Sequence, residues 1–260
     1  MGEVYDQLRD ALRDARPVAL ATVVTGPNIG AKLLVEVDRA TVGTLGDPGL
    51  DRVVARDAAG ELEAGLTSTR HYGPHGEARA REVSVFIESF VRPPQMLIFG
   101  AVDFTAALAR GAKLLGYHVT VCDARSVFAT RARFPMADEV VNDWPDRHLA
   151  SVGADLGPRD AICVLTHDTK FDVPALVAAC ATTVGYIGAM GSRRTHDKRV
   201  TRLREAGLVD ADIDRILSPI GLDIGARTPE ETAISICAEI ISRRTGRRAP
   251  SLRDGSGPIH

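Results

Sequence analysis

Residues 95–123 read QMLIFGAVDFTAALARGAKLLGYHVTVCD, and this stretch decides the fold. QMLIFG (95–100) is a short, uninterrupted apolar run of the kind buried in a parallel strand. FTAALARGAKLLG (104–116) carries its apolar residues at helical spacing and closes on a glycine, and HVTVCD (118–123) is apolar and β-branched again. The same alternation continues through DEVVND (138–143), DAICVLTHD (160–168), VPALVAAC (173–180), TVGYIGAMG (183–191) and THDKRVTRLREAG (195–207). It ends on TPEETAISICAEIISRRTG (228–246), where Thr228 caps a helix, Pro229 takes its first position and Glu231 completes a capping box. Parallel strands need crossovers, and right-handed crossovers put helices on both faces. The expectation is an α/β class, with a Rossmann-like doubly wound parallel sheet over residues 92–260.

Upstream, Val4, Leu8 and Leu12 share one face of a helix that Pro17 ends. PVALATVV (17–24) and AKLLVEV (31–37) read as strands around the turn-like TGPNIG, followed by TVGTL (41–45) and a short helix after Asp47-Pro48. TSTRHYGPHGEARAR (67–81) lacks apolar periodicity and reads as a loop or crossover before the strand VSVFIES (83–89). Residues 1–91 therefore form a smaller N-terminal α/β domain, and the rigid VRPP segment marks the boundary.

The 260 residues are 45% hydrophobic and 25% charged, with a formal charge of -2, so no global field draws the protein to nucleic acid. The first residues hold no uninterrupted apolar core, which points away from a membrane segment. Cys122, Cys163, Cys180 and Cys237 lie far apart in apolar surroundings, as buried free thiols do in a reducing cytosol. A cytoplasmic location is expected.

In doubly wound sheets ligands sit beyond the carboxyl ends of the strands, where helix N-termini face phosphates. Gly100 opens the first such turn, but Val102 replaces the second glycine of a dinucleotide fingerprint and Asp103 adds a negative charge, so the turn is either a phosphate site or merely structural. Asp123 ends the next strand about 20 residues on, where an acid meets ribose hydroxyls, and Arg125 suits a phosphate; alternatively Asp123 caps a loop and Arg125 is solvated. His167 and Asp168, with Thr166, Lys170 and Asp172, are suited to acid–base work but are too few for a metal site, and Asp172 caps the helix that follows. GAMGSRRTH (188–196) is the most informative: Gly188 and Gly191 admit a close backbone, Ser192 donates, and Arg193 and Arg194 offer forked cations to phosphate. Asp223 and Arg227 either contact ligand or pair with each other. No residue is assigned a catalytic role and no metal ligand set is expected.

Three long segments, THDTKFDVPAL (166–176), YIGAMGSRRTHDKRVTRLREAGL (186–208) and PIGLDIGARTPEETAISICAEI (219–240), with MLIFGA and RFPMADEV, resemble the Rossmann domain of the XdhC/CoxI family. ALATVV, GAKLLV and VGTLGDPGLD are similar to that family's first domain. The resemblance implies an accessory protein that binds the molybdenum cofactor (molybdopterin) or a related nucleotide, supports its sulfuration by a sulfurating enzyme, and delivers it to a molybdenum hydroxylase apo-enzyme such as xanthine dehydrogenase. It also implies a homodimer. The chain departs from the family pattern where Gly49 stands in the place of a cysteine and where Val102 and Asp103 replace a glycine and a histidine. Those departures keep open a regulatory or scaffolding role without cofactor handling, and fold analogy admits an NAD(P)-dependent oxidoreductase.

Overall fold

The computed structural model describes residues 2–78, 80–166 and 168–254. The chain forms two compact units, Met1–Arg92 and Pro93–His260.

In the first unit, helix α1 (Gly2–Arg13) leads to strands β1 (Val18–Thr25), β2 (Lys32–Glu36) and β3 (Val42–Thr44), helix α2 (Pro48–Ala64), and strands β4 (Ser68–Tyr72) and β5 (Val83–Phe90). The strands form an antiparallel sheet in the order β3-β2-β1-β5-β4. Alternation along β1 decides which helix covers which face: Ala19, Ala21 and Val23 pack with Leu50, Val54, Ala58 and Leu62 of α2, whereas Val18 and Leu20 pack with Val4 and Ala11 of α1. Two expectations are corrected. Residues 68–72 are a strand rather than loop; β4 is a sheet edge in which only Tyr72 is buried, so it has no apolar periodicity to read. The helix after Asp47-Pro48 is long, because Leu50, Val54, Ala58 and Leu62 recur every fourth residue up to the left-handed C-cap Gly65.

The second unit runs β6 (Gln95–Phe99), α3 (Asp103–Leu114), β7 (His118–Cys122), β8 (Glu139–Val141), α4 (Pro145–Val152), β9 (Ala161–Val164), α5 (Thr169–Cys180), β10 (Tyr186–Ala189), α6 (Arg193–Glu205), α7 (Asp210–Ile213), β11 (Ile216–Leu217) and α8 (Pro229–Thr245). All neighbouring strands are parallel, in the order β11-β10-β9-β6-β7-β8. This is the doubly wound order, with its reversal between β6 and β9. Met96 and Ile98 face the core shared by α3 and α8; Leu97 and Phe99 face the core shared by α4, α5, α6 and α7. Two-sided burial explains why β6 reads as an unbroken apolar run. The single-turn α7 and the two-residue strand β11, in a stretch for which the sequence suggests no element, are too short to leave a periodic signal. The capping box at α8 is formed as expected, with the Thr228 hydroxyl accepting from the Glu231 amide at 3.2 Å and the Glu231 carboxylate from the Thr228 amide at 3.1 Å. Among the described residues no helix is long and apolar enough to cross a membrane.

Candidate functional site

The crevice at the carboxyl ends of β6 and β9 begins at Gly100, whose φ of +108° favours glycine. A Cβ there would lie 2.7 Å from the Thr166 methyl, so the two strand ends meet only because residue 100 has no side chain. The turn into α3, however, is closed on itself. The Ala101 amide donates to Asp123 at 2.7 Å, the Val102 amide donates to the Thr105 hydroxyl at 3.3 Å, and that hydroxyl donates to the Gly100 carbonyl. The Ala101 and Val102 amides at this turn are thus already occupied.

Asp123 is used in the same closure. Besides the Ala101 amide, its carboxylate accepts from the Arg125 amide at 2.9 Å and from the Arg125 guanidinium at 2.9 and 2.7 Å. Burial opposes ionisation of Asp123, but these bonds outweigh it and hold the carboxyl below its ordinary range. Asp123 is 3% exposed, which leaves it as the anchor of the loop rather than an open acceptor for ribose. Arg125 remains part-exposed and lies over the Phe128 ring, 4.6 Å from its centroid.

Asp168, rather than Asp172, caps α5, accepting from the Lys170 amide at 3.1 Å. His167 lies outside the described residues. Asp172 instead points inward: it accepts from the Thr166 hydroxyl and from Arg199 Nη2, the latter at 3.1 Å, and Arg199 also donates to the Met190 carbonyl at 2.8 Å and to Ser218 at 3.1 Å. Arg199 falls within THDKRVTRLREAG, which reads as a charged amphipathic helix.

GSRRT sits at the start of α6. Gly191 has φ +144°, and Ser192 caps the helix by accepting from the Thr195 amide at 3.1 Å. By position the amides of Arg193 and Arg194 have no intrahelical acceptor, and none is present elsewhere among the described residues. Both side chains are exposed and unpaired among the described residues. Gly188 is placed differently: it is buried within β10, where a Cβ would collide with Ile220 at 2.4 Å, so its role is packing. Asp223 and Arg227 are exposed in the connection to α8, and among the described residues they form no ion pair with each other.

Beside GSRRT, a cleft of about 440 Å³ opens between the first turns of α5 and α6. Thr169 and Asp172 line one wall; Arg194, Thr195, Lys198, Arg199 and Arg202 line the other. Arg194, Lys198 and Arg202 recur every fourth residue on one face of α6 and are unpaired among the described residues, while the single carboxylate is committed to Arg199. The cleft is therefore strongly cationic, at a helix N-terminus whose dipole has the same sign. Sequence reading found Arg194 and missed Lys198, Arg202 and Thr169.

The donor set bears on metal binding. All four cysteines are buried and free, and burial pushes the Cys122 thiol up to about 12 and Cys180 to about 11, with Cys163 and Cys237 also raised. Among the described residues no three His, Cys, Asp or Glu gather where a metal ion could be held.

In the first unit, the Asp47 side chain caps α2 through the Gly49 and Leu50 amides, at 2.8 and 3.0 Å, and meets His75 Nδ1 at 2.7 Å. The segment around His75 covers Gly49 so closely that a Cβ at residue 49 would lie 2.7 Å from the His75 carbonyl oxygen. No thiol-bearing side chain fits there while this segment keeps its place.

Residues 96–240 match the family model of the XdhC Rossmann domain, and residues 11–73 that of the XdhC and CoxI family. The chain is 29% identical over 241 residues to an uncharacterized protein of Escherichia coli K12, YqeB, covering 86% of this chain and 43% of that protein. It is 33% identical over 177 residues to a probable xanthine dehydrogenase subunit of Bacillus subtilis, covering 68% and 50%. It is 36% identical over 99 residues to the molybdenum cofactor insertion chaperone PaoD of Escherichia coli, covering 38% and 31%. The matched stretches thus span half or less of these relatives. A crystal structure from Bacillus halodurans, described as a xanthine dehydrogenase, superposes with a TM-score of 0.53 at 20% identity, covering 95% of this chain and 97% of the other; at that identity the likeness establishes the fold.

Proposed function

We propose, on the premise that this chain belongs to the XdhC and CoxI family, that it serves the maturation of a molybdenum hydroxylase by binding the molybdenum cofactor, or a related nucleotide, and delivering it to the apo-enzyme. The observation that carries this reading is the cationic cleft between α5 and α6, where Arg194, Lys198 and Arg202 stand unpaired beside the free amides of GSRRT. Phosphate is the group such a site selects, because charge-assisted bonds and a helix N-terminus act together. The names of two relatives, a probable xanthine dehydrogenase subunit and a molybdenum cofactor insertion chaperone, support the client class.

The residues present fit the phosphate-bearing organic part of the cofactor. Among the described residues no ligand set fits its metal, since the thiols are buried and held protonated. When bound, the cofactor supplies the molybdenum that a hydroxylase later uses for oxidation; this chain's part is to hold the phosphate end and to release it. Contact with a sulfurating enzyme, a homodimeric state and a cytoplasmic setting belong to the same proposal. The test is anaerobic mixing with molybdenum cofactor followed by gel filtration, with pterin and molybdenum measured in the protein peak. Stoichiometric co-elution that falls with Arg194→Ala and Lys198→Ala is expected; a peak free of pterin would reject cofactor binding and leave the regulatory role.

A further inference from the structure

The loops that leave β7 and β8 and the first turn of α5 bring aromatic rings and cations together. Trp144, the single tryptophan of the chain, follows β8 and is 38% exposed. Its ring lies against Phe171, with centroids 5.0 Å apart and planes inclined at 50°. The Lys170 ammonium stands 4.7 Å from the Phe171 centroid and 5.9 Å from that of Trp144, and has no carboxylate partner among the described residues. The neighbouring loop presents Phe128, also 38% exposed, beneath Arg125 at 4.6 Å and Arg133 at 5.3 Å.

These loops are held, not loose. The Asp123 amide donates to the Val141 carbonyl at 3.2 Å, Asn142 Nδ2 donates to the Asp123 carbonyl at 2.9 Å, and the Cys122 thiol to the Asp143 carbonyl at 3.4 Å. Trp144 fills the N-cap position of α4 without a side-chain cap bond, so its indole is not needed to start that helix. Singly exposed apolar side chains are ordinary. An exposed tryptophan, backed by the buried Phe171 and flanked by the unpaired Lys170, at the carboxyl edge of a doubly wound sheet, is a stacking platform for a flat ring that carries negative charge.

We propose that Trp144, supported from behind by Phe171 and flanked by Lys170, forms a ring-stacking subsite for a fused nitrogen heterocycle bearing phosphate, the chemistry shared by purine nucleotides and pterin phosphates. The subsite rests on the cofactor-binding reading and specifies it. Lys170 supplies the charge and Trp144 the face, while Thr169, the preceding residue, lines the cationic cleft.

Because the chain has one tryptophan, its emission reports this subsite directly. Emission excited at 295 nm would be followed while guanosine 5′-monophosphate, neopterin or ribose 5-phosphate is added, with affinities in the variants measured by equilibrium dialysis. Saturable quenching by the nucleotide, by neopterin, or by both, and none by ribose 5-phosphate, is expected; the pair of ring probes separates purine from pterin preference. Trp144→Leu should lower affinity for the quenching ring by about 5- to 150-fold, Trp144→Phe should retain most of it, and Lys170→Ala should weaken the charged ligand about tenfold, all with unchanged melting temperature. Linear, collisional quenching by every probe, or full affinity in Trp144→Leu, would overturn the subsite. If Trp144→Leu still carries molybdenum cofactor through gel filtration at full stoichiometry and affinity, the stacking assignment fails while the cofactor reading stands; if rings stack but no cofactor co-elutes, the reverse holds.

Discussion

Arg199 Nη2 lies 3.1 Å from Asp172 Oδ2, and both side chains are 2% exposed. The pair joins α5 to α6, and through Thr166 and Met190 it fixes the ends of β9 and β10 beside the cationic cleft. Two ions withdrawn from water are tolerated only while each satisfies the other. Arg199→Ala and Asp172→Ala should each lower unfolding free energy by about 3 to 5 kcal/mol, read from urea melts. Wild-type stability in either variant would show that the pair does not hold the site together.

The exposed cations of the cleft should behave in the opposite way. Arg194→Ala and Lys198→Ala should leave stability within about 0.5 kcal/mol, because neither side chain has a partner to lose among the described residues. Each should weaken binding of the molybdenum cofactor by about 1.5 to 3 kcal/mol, the range for bonds to charged groups. Arg193→Ala, outside the cleft lining, should cost less. Equal affinity in Arg194→Ala and Lys198→Ala, measured by equilibrium dialysis, would remove the cleft from the binding site.

Gly49 is held without a side chain by the segment that covers it. Gly49→Ala and Gly49→Cys should each destabilise the first unit by about 1 to 3 kcal/mol through overpacking against the His75 carbonyl, which differential scanning calorimetry would register. An unchanged transition would mean that the segment yields freely and that a thiol is accommodated.

The hydrogen bond from His75 to Asp47 raises the His75 pKa, and the same bond lowers that of Asp47. Stabilisation from His75 is complete below its unfolded value of roughly 6.5 and is lost as pH rises through its raised folded value. Stabilisation from Asp47 is complete above its unfolded value and is lost as pH falls through its lowered folded value. The contact should therefore persist between those two folded values. NMR titration should find the His75 pKa lower in Asp47→Asn, a variant that keeps the α2 cap; an unshifted His75 would show that the ion pair is not formed in solution.

The second unit was legible where strands are buried on both faces or where caps are encoded locally. QMLIFG, HVTVCD and the Thr228–Glu231 box each carry their instructions within a few residues. Short or edge elements such as β4 and β11 were not, since their pairing is dictated by neighbours distant in sequence. The site divides the same way. GSRRT announced its cations, but no spacing rule says that Asp123 would turn inward onto the Ala101 amide, that Gly188 would pack on Ile220, or that Arg199 alone of its charged run would be buried. Trp144 escaped because its partners, Lys170 and Phe171, lie on a different element, the first turn of α5.

The most direct test of delivery is activation of a purified molybdenum hydroxylase apo-enzyme given a limiting supply of molybdenum cofactor, with and without this chain. Faster and more complete activation with the chain, lost in Arg194→Ala/Lys198→Ala although that variant remains folded, is the predicted result. Activation that is identical with and without the chain, for an apo-enzyme that does accept free cofactor, would contradict delivery as its function.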